Sequence, residues 1–282
     1  MDLLLPVMIT IAIALASRAY ADNPCAVPTD CALNASQKAL TQQLTAFYDF
    51  GVTTLPYCQC SDLLDGNGMT CGFAGFTSES GSLLTVMRYY SQSVPDNIFL
   101  ADISALQDLA AANSGDSALL TDLPKNWFSV CLSDPLFIAA QKSANDERVY
   151  NPSQAAADTL GLKYALSRAA MYDAFMQQGA NTTNPDSVWP CIANATAQVG
   201  GTPAGLNGTN TYVDEVTWLK AFLQARRDAT LNPVNLALAA SWASTVGRID
   251  SVMYVLYNGD VNFANTSVST LDVFGIPTII SL

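Results

Sequence analysis

Apolar residues recur at helical spacing along most of this chain. Over residues 36–47, Leu40, Leu44 and Phe47 fall on one helical face. Residues 82–91 repeat the pattern, with Leu83, Leu84, Val86, Met87 and Tyr90 inward. Helices are also expected over 98–112, ended by Ser114-Gly115-Asp116, and over 135–143. Residues 152–178 read as one long apolar-rich helix, with Pro152 in its first turn and Gly179-Ala180-Asn181 closing it. Residues 181–211 are rich in Gly, Asn, Thr and Pro and read as a surface connection. Two more helices are predicted over 217–230 and 233–256. Strand signals are confined to 69–77, where small and apolar residues alternate, and to 258–282, where β-branched residues flank a Gly275-Ile276-Pro277 turn. The sum is an α+β fold, mostly α-helical, with a small β element in one domain of two lobes.

The first 21 residues read separately. Leu3 to Ala16 is apolar and Ala19-Tyr20-Ala21 is a small-x-small cleavage site, as in a secretory signal peptide, although Asp2 stands where a basic residue is usual. The apolar run is too short to span a bilayer comfortably. The expected mature chain, residues 22–282, is therefore extracellular, without stable membrane association, and a monomer is expected separately. Five Asn-x-Ser/Thr sequons, at Asn34, Asn181, Asn194, Asn207 and Asn265, agree with export and with a glycoprotein. Seven cysteines point to disulfides, with at least one thiol left over and the connectivity open. Five of them, Cys25 to Cys71, lie in the first fifty mature residues, so staples are expected around residue 65.

Composition then removes chemistry. There is no histidine, which excludes Ser-His-Asp and Cys-His machinery and most zinc sites. No metal or organic cofactor is expected. Proton transfer falls to carboxylates, Lys, Tyr or Cys. A net charge of −12 argues against a nucleic-acid partner. It would steer a cationic ligand, or serve solubility alone. Only Glu79, Glu147 and Glu215 of the 24 acidic residues are glutamates.

Asp65-Gly66-Asn67-Gly68-Met69-Thr70, followed by Gly72 and Gly75-Phe76-Thr77, sets a carboxylate and a hydroxyl on a glycine-rich turn. Such a turn serves as an ordinary hairpin, or it holds a water between Asp65 and Thr70 for a general base.

This segment resembles the catalytic segment of glycoside hydrolase family 46 chitosanases. Four further stretches match in order: Asn145-Asp146-Glu147-Arg148-Val149-Tyr150-Asn151-Pro152; Gly161-Leu162 to Tyr172-Asp173-Ala174 and Gln178-Gly179; Trp218-Leu219 to Arg226-Arg227; and Gly247-Arg248-Ile249-Asp250. The resemblance implies a two-lobed, lysozyme-like fold around a cleft. It also implies inverting, endo-acting hydrolysis of β-1,4-linked glucosamine polymers such as chitosan. Asp65 would be the base, Thr70 would orient the water, and Arg248 would pair with Asp65, held in place by Arg226 and Asp173. Inversion needs two carboxyl groups roughly 6.5–9.5 Å apart.

The family's acid is a glutamate, and here Asp49 stands nearest its place, one methylene shorter. Asp49 is otherwise a surface residue at a helix end. Where the family has a sugar-binding aspartate, this chain has Ser82, and Gln178 replaces a common His. With fewer carboxylates than the family has, the resemblance points to partly acetylated chitosan, a chitin-like chain or another amino-sugar polymer ahead of fully deacetylated chitosan. Tyr57, with Trp189 and Tyr89, is a candidate ring for sugar stacking. The alternative is a carbohydrate-binding protein on the same fold that has lost its acid.

Overall fold

A computed structural model describes residues 31–205, 212–264, 266–272 and 274–282. The expected leader and the sequons at Asn207 and Asn265 fall outside those residues. The described chain is mostly helical with two small antiparallel sheets, as its periodicity predicts. Two separate apolar cores divide it.

The first core gathers α1 (Ala35–Phe50), α6 (Asn151–Leu160), α7 (Ala165–Gln178), α8 (Val188–Val199), α9 (Glu215–Leu231) and α11 (Gly247–Tyr257) with the hairpin β4 (Ser267–Leu271)–β5 (Pro277–Ser281). Leu40, Leu44 and Phe47 of α1 share that core with Tyr172, Trp218, Phe222 and Ile249. The second core joins the sheet β1 (Cys60–Asp62), β2 (Met69–Cys71) and β3 (Phe76–Thr77) to α2 (Ser82–Ser93), α3 (Leu100–Ala112), α4 (Leu123–Ser133) and α5 (Pro135–Asn145). The five α2 residues expected inward are its buried residues.

α1 starts on a capping box: Gln37 N–H donates to Asn34 Oδ1 (2.9 Å) and Asn34 N–H to Gln37 Oε1 (3.0 Å). Gly51 ends it, which sets Asp49 in its last turn.

Three predicted elements need correction. Residues 152–178 are not one helix, because Gly161, at φ 75°, ends α6. The Glu215 carboxylate then accepts from Lys163 and Tyr164 N–H at 2.8–2.9 Å, covering amides exposed by the break. A single π-turn, Asp146–Tyr150, precedes α6. Residues 181–211 contain α8, whose Val188, Cys191, Ile192 and Ala195 are buried at helical spacing. Glycines and asparagines at either end masked that short stripe. Residues 233–256 are likewise broken. The turn Leu236–Leu238 and α10 (Ala239–Ser244) bury no residue, so no packing holds a continuous helix, and the chain restarts at α11. α4 was not anticipated; it buries Leu123, Trp127 and Cys131 four residues apart.

Disulfides Cys58–Cys131 and Cys60–Cys71 staple the segment that leads into the 65 turn, and Cys31 is also bonded. Cys191 is the free, buried thiol among the described residues. The Cys58–Cys131 bond closes a separation of 73 residues. Its loss in Cys58→Ser/Cys131→Ser is expected to cost about 4 kcal/mol on the loop-entropy estimate. Chemical denaturation followed by circular dichroism measures that cost.

Candidate active site

Asp65 sits at the tip of the hairpin between β1 and β2, whose register pairs Asp62 with Met69. Its side chain is exposed, and Oδ1 accepts from Asn67 N–H at 3.0 Å. The tip is braced from behind. A Cβ on Gly115 would lie 2.0 Å from the Gly66 carbonyl oxygen, so only glycine allows that loop to back the hairpin so closely. Gly68, at φ 71°, would set a Cβ 2.3 Å from Ser78 Oγ, the atom that accepts from Met69 N–H. Thr70 follows on β2. Its Oγ1 is buried without a hydrogen-bond partner.

Asp49 approaches from the other lobe. Phe50 Cζ and Thr70 Cγ2 both lie within 4 Å of a Cβ built on Gly75, so the end of α1 meets the β2–β3 turn. Asp49 Oδ1 accepts from Arg248 at 2.7 Å, and 27% of the side chain remains exposed. Arg248 also reaches Asp173, with one terminal nitrogen 2.7 Å from Oδ1 and Nε 3.2 Å from each oxygen. Arg226 donates to Asp173 Oδ2 at 3.0 Å, to Gln177 at 2.8 Å and to Gln178 at 3.1 Å. Thr45 donates to Asp173 as well. The chain Asp49–Arg248–Asp173–Arg226 is therefore continuous, and its last three members are almost wholly buried.

The expected pairing of Arg248 with Asp65 is thus corrected: the carboxylates on Arg248 are Asp49 and Asp173. The break before α11 explains it, since the restart places Arg248 in the first turn, facing α1 and α7 rather than the hairpin.

The electrostatics differ along the chain. Burial pushes the Asp49 carboxyl above the usual range; the Arg248 charge opposes this and the Asp173 charge adds to it. Burial acts on Asp173 in the same sense, yet Arg248 and then Arg226 outweigh it and hold Asp173 below the usual range. Burial would lower the Arg248 pKa, but Asp173 and Asp49 raise it, so it stays charged.

A cleft of about 320 Å³ runs beside this site between the lobes. Ser82 and Thr77 line it from the sheet side, Phe175 and Met176 from α7, and Arg148 from the π-turn. Arg148 donates to the Ser80 carbonyl at 3.1 Å. Tyr57 is not brought there. It lines a separate groove with Cys60 and Ser61 at the β1 edge, whereas the cleft lies at β3, the opposite edge of the sheet. Its ring packs 4.9 Å from Phe73 because Trp127 Nε1 and the Gln141 amide both donate to its carbonyl and fix the segment. Trp189 stands behind Phe175 and Tyr89 donates to Glu147, so neither of the other expected rings lines the cleft. Arg148 and Phe175 were missed as site residues. The match over residues 145–152 already singled out Arg148's stretch, while Phe175 looked like any other apolar helix position. Among the described residues, no group of three or more Cys, Asp or Glu is placed to hold a metal ion.

Comparison with known proteins identifies the family and the fold. The sequence profile of glycosyl hydrolase family 46 matches residues 43–263. A chitosanase of Bacillus subtilis (strain 168) is 35% identical over 230 residues, covering 82% of this chain and 80% of the relative. The crystal structure of the native chitosanase from Bacillus subtilis MY002 superposes with a TM-score of 0.79 at 34% identity, over 89% of this chain and 100% of that one. The family 46 chitosanase of Gynuella sunshinyii in complex with chitotetraose gives the same TM-score, identity and coverage.

Proposed function

This chain belongs to glycosyl hydrolase family 46, and on that premise we propose that it is a secreted, inverting endo-hydrolase of β-1,4-linked glucosamine polymers, chitosan or partly acetylated chitosan. Its relative from Gynuella sunshinyii, solved with chitotetraose, supports the substrate class. The disulfides suit an oxidising compartment, and no described helix is long and apolar enough to cross a membrane. The catalytic unit is one two-lobed domain, residues 22–282, acting as a monomer without a cofactor.

The observation that carries the mechanism is the Asp49–Arg248–Asp173–Arg226 chain at the meeting of the lobes. Asp49, raised by burial, is the protonated acid that delivers its proton to the leaving glycosidic oxygen. Arg248 fixes where that carboxyl points. Asp65, exposed on a braced hairpin, takes a proton from water, and Thr70, five residues on, is assigned by resemblance to the family to help orient that water. Attack on the face opposite the leaving group inverts the anomeric carbon. Asp49 must hold its proton for turnover, so the rate is expected to fall as pH rises and Asp49 ionises.

Asp49→Asn is expected to lower kcat on chitosan by about 10²–10⁴-fold, the range for general acid–base groups. Asp49→Glu, which restores the reach of the family's glutamate, is expected to stay within about tenfold of wild type, since repositioning by about 1 Å is what changes. Reducing-end release measures both, and NMR of fresh products reads the anomer. An unaltered rate in Asp49→Asn removes the acid assignment. The shorter arm of Asp49 and its 2.7 Å bond to Arg248 favour one second reading, a sugar-binding protein without turnover. That reading requires bound chitosan and no new reducing ends.

A further inference from the structure

The cleft beside the site carries the opposite charge from the one expected of a glucosamine channel. The chain has a net charge of −12, yet no carboxylate among the described residues lines this cleft. Its charged side chain is Arg148. Ser82, also on the wall, is the first residue of α2, where a helix concentrates positive partial charge. The nearby acids are engaged or turned elsewhere: Glu147 is exposed and accepts from Tyr89, and Glu79, with its N–H on the Asn67 carbonyl, is not among the lining residues. An ammonium group placed here meets like charge at close range, which is strongly unfavourable.

The rest of the wall suits a neutral amide. Thr77, Ser80 and Ser82 form a hydroxyl cluster, with Oγ···Oγ distances of 2.6 Å and 2.8 Å, and Arg148 is a donor beside it. Facing them are Ala74, Phe175, Met176 and Ala180, an apolar surface matched to a methyl group. Gly75 joins this cleft to the point where Phe50 and Thr70 meet, so a sugar held here adjoins the proposed acid and base.

We propose that this cleft is a subsite for an N-acetylglucosamine unit, with the acetamido oxygen taken by the Ser80 hydroxyl or Arg148 and its methyl packed on Phe175 and Met176. The inference rests on the hydrolase reading above and narrows it. The enzyme then prefers partly acetylated chitosan over the fully deacetylated polymer, and Ser82 with Arg148 sets that preference.

The test digests chitosans of defined acetylation with the full chain and sequences the products by mass spectrometry. The expected result is N-acetyl units enriched at one fixed position counted from the cleaved bond, with faster cleavage of the partly acetylated polymer. Ser82→Asp is expected to shift the ratio of kcat/KM for deacetylated over acetylated oligomers upward by roughly fivefold, the scale of one partly exposed charge pair. Arg148→Gln is expected to shift it the same way, with a melting curve confirming that each variant folds. Products with glucosamine at every position around the cut, from a wild type that cleaves deacetylated chitosan faster, overturn the subsite and leave the hydrolase intact. No reducing ends from any chitosan would overturn both.

Discussion

Asp65→Asn is expected to abolish turnover of chitosan while leaving the fold untouched. The asparagine oxygen can keep accepting from Asn67 N–H, the contact that Asp65 Oδ1 makes at 3.0 Å, so the hairpin keeps its turn. The side chain is exposed, so its replacement leaves no buried group unpaired. What is lost is the basic oxygen. General-base catalysis is worth about 10²–10⁴-fold, and the loss appears in kcat rather than in KM if Asp65 acts on water rather than on the sugar. Initial rates of reducing-end release, beside a thermal melt within a degree or two of wild type, measure both halves. Full activity in this variant would reduce the 65 turn to a structural hairpin.

The second large effect concerns Asp173. Asp173→Asn is expected to destabilise the protein by about 3–5 kcal/mol, the usual result of removing one partner from a buried ion pair. Two guanidiniums, Arg226 and Arg248, lie on this carboxylate at 3.0 Å and 2.7 Å, and both are buried. Without it they repel each other with little water to screen them. For a domain of this size the shift corresponds to a melting temperature lower by roughly 6–20 °C. Activity should fall as well, because Arg248 loses the anchor that aims it at Asp49. The same residue sets an acid limit. Its folded pKa lies below its unfolded value of about 3.9, so its contribution is complete above that value and is lost as pH falls through the folded one. Denaturation measured across pH 2–6 should show wild-type stability falling at the acid end and Asp173→Asn falling less. Equal slopes would mean that Asp173 does not carry the acid sensitivity.

The motif matches single out Arg226, Arg248 and Asp173, and the structure joins these three in one ion chain that ends on Asp49. The fold class was legible too, since an apolar residue every three or four positions fixes a helix wherever the stripe is long enough to bury. α1 and α2 follow that rule nearly residue for residue. α8 escaped because its stripe is short and bounded by turn residues, and the break at Gly161 escaped because apolar residues continue on both sides of it.

Sequence alone determined the helical stripes, the glycine-rich hairpin and the absence of histidine, which excludes histidine-based machinery, because each is a property of residue type or local spacing. Only the tertiary structure decided that Arg248 grips Asp49 rather than Asp65, that Tyr57 belongs to the far edge of the sheet, and that, among the described residues, Arg148 and hydroxyls wall the cleft without an acid. Those outcomes depend on which helix ends converge across 75 to 199 residues of chain, and local spacing carries no record of that meeting.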